Sequence, residues 1–295
     1  MPCFRIACWS LLFTLLLTVR VGFSQTVTIA AAGDIACSSF DEVSADRCQM
    51  AATAGLVAGQ HVDAVLALGD LQYPQGGSDD FATSYDKSWG RFKRITYPVP
   101  GNHEYYLYEA QGYYRYFGGQ ARPKHHGYYS FDLGAWHIIA LNSNCFWVGG
   151  CSEDSEQIAW LRRDLKAHPS SCTLAFWHHP RFSSGAHGSD GAYQPFWSTL
   201  NKAGADLVLS AHDHLYERFA PQLGDGTLAD EGMPQFVVGT GGKSFYERGE
   251  RRPHSVALVQ KRFGVLFLTL EPTAYRWLFR ATNGEISDSG VGKCR

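Results

Sequence analysis

Strand-length apolar runs recur along this chain at 26–31, 62–68, 127–131, 136–141, 173–177, 206–209, 235–238, 265–270 and 274–279, with helical stretches at 44–58, 153–166 and 193–203. Alternation of β and α at the start, followed by a β-rich end, indicates an α/β protein with more strands than a single open sheet needs. Ser152, with Glu153 and Asp154 after it, supplies a cap and first-turn acids for the second helix. Of the 295 residues, 45% are apolar and 18% charged, which is enough to fill a core and excludes a charged disordered chain. No internal repeat or Pro/Ser-rich linker marks a boundary, so the chain reads as one large domain.

Five segments place metal-capable side chains at or just after predicted strand ends: Ala32-Gly33-Asp34, Gly69-Asp70-Leu71-Gln72-Tyr73, Gly101-Asn102-His103-Glu104, Trp177-His178-His179-Pro180 and Ala211-His212-Asp213-His214. Strand C-terminal ends are where open α/β sheets gather ligands. Each segment alone is a weak signal, since a Gly-Asp after a strand is commonly a turn and a buried His commonly a hydrogen-bonded core residue. Together, the carboxylates, amide, phenol and imidazoles make a donor set suited to two hard or borderline metal ions. Residues i and i+2 of an extended segment share a face, so His212 and His214 point into one site and Asp213 away from it. By the same rule His178 and His179 face opposite ways, and only one of them is a ligand. Gly69 and Gly101 fit tight turns in which backbone approaches a neighbour closely.

In this order the five segments resemble the signature of the metallophosphoesterase (calcineurin-like) superfamily, and Tyr73, three residues after Asp70, resembles its purple acid phosphatase branch. The resemblance runs from Asp34 to His214. It implies a four-layer α/β/β/α sandwich with two mixed β-sheets and a binuclear metal centre. Fe(III) would sit on Asp34, Asp70, Tyr73 and His214, and a divalent ion (Zn, Fe or Mn) on Asp70, Asn102, His178 and His212, with Asp70 bridging. His178 is preferred to His179 because the family's ligand closes a strand and is followed one residue later by Pro, as Pro180 follows here. Ala36 and Ala211 replace two glycines of the family pattern, each adding a methyl and a small backbone shift. Asp34 comes so early that the extra N-terminal β-sandwich of plant members is not expected.

Such a centre suits phosphate-ester hydrolysis. Two metals about 3.5–4 Å apart lower the pKa of a bound water and clamp phosphate oxygens for in-line attack. A Tyr73 phenolate favours a ferric ion. The expected reaction is hydrolysis of phosphate monoesters by a metal-bound hydroxide. His103, beside Asn102, is the first candidate to protonate the leaving oxygen or bind phosphate, with Glu104 orienting it. His187, in the stretch Ser183-Ser184-Gly185-Ala186-His187-Gly188 read as a mobile loop, is the second. A phosphodiesterase or nucleotidase using the same site is the alternative, and a non-catalytic metal- or phosphate-binding protein the remote one.

The remaining features carry less. Tyr105, Tyr106, Tyr108, Tyr113 and Tyr114 are either packing or a pocket wall for an aromatic or nucleoside leaving group. The Gly-rich stretch from Gly239 to Ser244 is no nucleotide P-loop, because Val237 stands where that motif needs Gly, but it is a candidate lining of the cleft. Arg181 is a phosphate contact or a surface ion pair. His125 and His126 read as surface residues, and His61, His137, His168 and His254 as structural.

Residues 1–24 carry a 14-residue apolar run between Arg5 and Arg20 and end in small residues. They read as a secretory signal peptide cleaved after Ser24, shorter than the ~18–20 residues of a membrane span. Losing Arg5 and Arg20 takes the formal charge from −2 to −4, which excludes a broad basic face for nucleic acid or anionic lipid. Cys3 and Cys8 leave with the leader. An even set of six then points to disulfides in an exported chain, with short spacings favouring Cys37–Cys48 and Cys145–Cys151 and leaving Cys172–Cys294. The expectation is a secreted or periplasmic enzyme acting on a small phosphorylated substrate. No nucleic-acid binding is expected beyond nucleotide substrates, and no stable membrane anchor after cleavage.

Overall fold

Successive side chains of a strand point to opposite faces of its sheet, and that alternation sets the layers. The computed structural model describes residues 26–121, 127–170, 172–247 and 249–295, so the expected leader, Cys3, Cys8, His125 and His126 lie outside the described residues. In chain order the first half contains β1 (Val27–Ala32), α1 (Met50–Ala58), β2 (Ala64–Leu68), α2 (Ser78–Thr83), β3 (Thr96–Val99), α3 (Gln111–Phe117), β4 (Tyr129–Leu133) and β5 (Trp136–Ala140). The second half contains α4 (Glu156–Ala167), β6 (Cys172–Phe176), α5 (Gln194–Lys202), β7 (Leu207–Ser210), β8 (Tyr216–Gln222), β9 (Met233–Val238), β10 (Ser255–Val259), β11 (Gly264–Glu271), β12 (Ala274–Ala281) and β13 (Ile286–Lys293). One mixed sheet runs β13-β12-β11-β1-β2-β3 and the other β10-β8-β9-β7-β6-β5-β4.

In the second sheet Ile138, Leu174, Leu209 and Phe236 turn inward to the core shared with Ile29, Leu66 and Leu268 of the first. Their neighbours Ile139, Ala175, Val208 and Val237 turn outward onto Ile158 and Leu161 of α4 and Phe196, Trp197 and Leu200 of α5. Both sets are fully buried, so a one-residue slip would exchange two apolar faces, and the register rests on how each set fits its own layer rather than on burial alone. Helix α1 packs on β11 across the far face of the first sheet, completing the four layers. Strands β1, β2 and β3 are mutually parallel, as are β5, β6, β7 and β9. The ends of β1, β2, β3, β6 and β7 therefore deliver the five motif segments to one seam.

Four strands escape sequence patterning. Pro98 disguises β3, which is tolerated because β3 is an edge strand whose Pro98 carbonyl accepts from the Tyr113 and Tyr129 hydroxyls. Buried Glu217 disguises β8, and the edge strands β10 and β13 are polar or half-exposed. The first helix begins at Met50 rather than 44, because Cys48 is tied to Cys37. The second is capped by Ser155, whose hydroxyl accepts from Ile158 N–H, rather than by Ser152. The expected disulfides Cys37–Cys48, Cys145–Cys151 and Cys172–Cys294 are all formed. Among the described residues no helix is long and apolar enough to cross a membrane.

Candidate metal centre

Three of the motif residues sit in the left-handed backbone region: Asp34 at φ 57°, Asp70 at 49° and His212 at 71°. Each costs about 1 kcal/mol relative to ordinary backbone and persists only where its surroundings over-determine it. Here Asp34 N–H donates to Gly69 O (3.0 Å), Ile35 N–H to Asp70 O (2.9 Å) and His212 N–H to Asp34 Oδ2 (2.8 Å). Glycine is needed at two positions. A Cβ on Gly101 would lie 2.1 Å from Asp70 Oδ1, and one on Gly69, itself at φ 87°, 2.6 Å from His178 Nδ1. Ala36 and Ala211 avoid positive φ, and the Ala211 methyl is accommodated by the bare Cα of Gly33.

The Tyr73 hydroxyl oxygen lies 2.8 Å from Asp34 Oδ1, 3.0 Å from Asp70 Oδ2 and 3.1 Å from His214 Nε2. His214 directs Nδ1 at the Ser244 carbonyl (2.9 Å), so Nδ1 carries the proton and the Nε2 lone pair faces the phenol. One phenolic proton thus faces three buried acceptors. A cation among these four atoms removes that deficit, and the residues fit a metal ion. Burial, and then the Asp34 and Asp70 charges, push the Tyr73 phenol well above its ordinary range.

A second cluster adjoins the first through Asp70. His178 Nε2 lies 3.4 Å from Asp70 Oδ2, 3.2 Å from the Asn102 side-chain oxygen and 3.2 Å from His212 Nδ1, while His178 Nδ1 donates to Leu68 O (2.8 Å). Burial opposes a charge on His178, but Asp70 outweighs it and takes the imidazole to about 9; burial and that neighbouring charge lower His212 to about 4. Burial likewise raises Asp70, yet His178 holds its carboxyl well below the usual range. Two buried carboxylates, Asp34 and Asp70, thus face this cluster of imidazoles, a negative field that attracts a metal cation.

A sequence model of the Calcineurin-like phosphoesterase family matches residues 27–216, and so spans every one of these donors. The chain belongs to that family. Among curated relatives of the chain, Purple acid phosphatase 15 of Arabidopsis thaliana is 29% identical over 217 residues, covering 61% of this chain and 40% of the relative. Acid phosphatase type 7 of Homo sapiens is 30% identical over 192 residues, 54% of this chain and 41% of the relative. The chain thus spans about two fifths of the relatives it matches. The purple acid phosphatase PPD1 from yellow lupin (Lupinus luteus) seeds shares the fold, with a TM-score of 0.72, 18% identity and coverage of 92% of this chain and 54% of that one.

In this member of the family the seven expected donors lie together in two adjoining clusters, but several neighbours differ from expectation. The residues after β6 and β7 leave the strands, so strict alternation lapses: the His178 and His179 rings lie 4.8 Å apart, and His179 packs 4.5 Å from His212 with Nδ1 bonded to Ser143 Oγ. Glu104 does not orient His103. Its carboxylate accepts from the N–H groups of Asp70, Leu71, Gln72 and Gly101 at 2.7–3.2 Å, while His103 Nδ1 bonds to Pro74 O (2.7 Å). Burial raises the Glu104 carboxyl, but a proton on either oxygen would point at an N–H, so this geometry holds the carboxylate.

The His187 loop is anchored rather than mobile. Buried Asp213 accepts from the Ser183 hydroxyl and faces His187 Nδ1 at 3.0 Å, and buried Glu217 accepts from Ser184 N–H and Oγ. Arg181 donates to Gly224 O and takes no part in the centre. The Gly-rich stretch does line the cleft, since Ser244 O receives His214 Nδ1 and Lys243 N–H donates to Asp34 O. Sequence reasoning missed Asp213, whose only signal was its place between two ligand-like histidines, and Tyr246, which stacks on His214 at 3.8 Å.

Proposed function

We propose that this chain is an exported phosphatase that hydrolyses phosphate monoesters at a binuclear metal centre. The observation that carries the reading is the Tyr73 hydroxyl held among Asp34, Asp70 and His214 with Asp70 leading on to His178. Asp34, Asp70, Tyr73 and His214 would hold Fe(III). Asp70, Asn102, His178 and His212 would hold the divalent ion, Zn, Fe or Mn. Bound there, the pair supplies Lewis acidity that makes a nucleophile of water and clamps phosphate oxygens. Backbone carbonyls of Leu68 and Ser244 keep the Nε2 atoms of His178 and His214 turned inward.

The protein's own groups then manage the leaving oxygen. His103 has Nδ1 tied to Pro74 O, its ring lies 4.2 Å from that of Tyr73, and its Nε2 faces Asp70 Oδ2 at 3.9 Å. It binds phosphate or hands a proton to the departing alkoxide. His187 stands 4.1 Å from the His212 ring, and its hydrogen bond to Asp213 holds its pKa above the ordinary value despite partial burial, which suits a second proton carrier. Residues 25–295 would act as one domain after removal of the 1–24 leader, and the three disulfides fit an oxidising compartment.

Metal analysis with a visible spectrum tests the centre. A Tyr73–ferric pair gives a visible band that disappears in Tyr73→Phe, and an active, colourless, iron-free enzyme refutes the ferric assignment. Steady-state comparison of nitrophenyl phosphate with bis-nitrophenyl phosphate tests the reaction. A large preference for the diester overturns the monoesterase reading, and unchanged hydrolysis in Asn102→Ala or His212→Ala removes the centre from the chemistry.

A further inference from the structure

Two aromatic rings stand over the histidines of the centre. Tyr106 lies 4.6 Å from the His103 ring, and Asn102 Nδ2 donates to its hydroxyl at 3.4 Å. Tyr246 stacks on His214 at 3.8 Å with planes 14° apart and meets His187 at 5.3 Å. Both keep open faces, at 60% and 37% exposure, whereas Tyr105 and Tyr113 of the same Tyr-rich segment are buried as packing. The two open phenols flank one cleft: the His103 and His214 rings they cover lie 4.2 Å and 6.1 Å from the ring of Tyr73. Scattered exposed aromatics need no explanation. A pair that covers a ligand histidine and both proton-carrier candidates does, because His103 and His187 are the groups that would meet the leaving oxygen.

We propose that Tyr106 and Tyr246 form a leaving-group subsite for a flat aromatic ring borne directly on the ester oxygen. This rests on the phosphatase reading and adds a substrate class to it. With phosphate on the metal donors and the leaving oxygen within reach of His103 or His187, the next atoms outward meet Tyr106 or Tyr246. A ring attached at that oxygen stacks or packs edge-on at the usual ~4.5–7 Å between centroids. An alkyl group has no face to offer. A nucleobase is held off the ester oxygen by a ribose and does not meet the rings at that first position.

Phenylphosphonate and methylphosphonate separate the ring from the chemistry, since neither has an ester bond to break. Calorimetric titration of the metal-loaded protein is expected to give about tenfold tighter binding of the phenyl compound. Tyr106→Leu and Tyr246→Leu each shrink that ratio and the double variant brings it to near parity, while Tyr106→Phe and Tyr246→Phe keep it. Methylphosphonate affinity reports the state of the centre in every variant. Parity in the wild type, no binding of either compound, or an undiminished ratio in the double Leu variant overturns the subsite. Discrimination of adenosine monophosphate from ribose 5-phosphate without discrimination of phenyl from methyl also overturns it. A chain that turns over no phosphate ester defeats the phosphatase reading instead, while the phosphonate ratio still decides this one.

Discussion

Replacing Glu104 by Gln removes one charge and no volume, yet the structure gives it a large expected effect. Four backbone N–H groups, from Asp70, Leu71, Gln72 and Gly101, converge on the two carboxylate oxygens at 2.7–3.2 Å, and Glu104 is fully buried. An amide offers one oxygen. Whichever way that amide is turned, two of the four donors meet an NH2 group instead of an acceptor. Each stranded buried donor costs about 1–3 kcal/mol, so two cost roughly 2–6 kcal/mol, a large share of the ~5–15 kcal/mol that holds a domain folded. Glu104→Ala strands all four and is expected not to fold. The loss falls on the backbone that presents Asp70, so Glu104→Gln should unfold at lower urea and retain less metal after dialysis, read by denaturation and by plasma mass spectrometry. A Glu104→Gln variant within about 0.5 kcal/mol of wild type, with full metal content, would refute the argument that these four bonds hold the centre.

Gly101→Ala should abolish metal retention while leaving far-UV dichroism intact, since its Cβ would lie 2.1 Å from Asp70 Oδ1 and 2.4 Å from Asp70 N. Loss of the Cys172–Cys294 bond removes a staple across 122 residues that joins β6 to the chain just after β13; the double Ala variant should lose about 5 kcal/mol by denaturant titration. Away from the centre, buried His137 lies between Asp164 (2.9 Å) and Asp132 (2.8 Å). Burial opposes its charge, but these hydrogen bonds raise it above the ordinary imidazole value, while Asp164, despite burial, is lowered by His137. The His137 contribution is whole below about pH 6.5 and fades as pH rises through the raised value, and that of Asp164 is whole above about pH 4 and fades below it. Asp164→Asn should therefore cost on the order of 3 kcal/mol near pH 5.5 and less at pH 9, and an equal cost at both would contradict the pairing.

Much of the centre was legible because metal-binding chemistry restricts residue type and because strand ends concentrate ligands. Asp34, Asp70, His178 and His212 each follow, within a few residues, a strand whose apolar run is visible in the sequence, a local pattern that survives in one dimension, whereas Asn102 was legible only by its Gly-Asn-His-Glu motif. The cysteine pairs were legible for a similar reason, since two of them close short loops. Strand β3 was hidden by Pro98, whose tolerance depends on lying at a sheet edge. That is a property of the assembled sheet.

What the sequence by itself determined, then, was the inventory and order of donors, the α/β class and the cysteine partners. Only the tertiary structure decided which nitrogen each imidazole turns inward, because the carbonyls that choose are remote: Leu68 lies 110 residues from His178 and Ser244 30 residues from His214. The same holds for Asp213 as the partner of His187 and for Tyr246 over His214. Glu104 is the sharpest case, adjacent to His103 in sequence yet committed to four N–H groups, three of which lie more than 30 residues away. Hydrogen bonds and ring contacts reach only a few ångströms, so their partners exist only once the two sheets have brought those loops together.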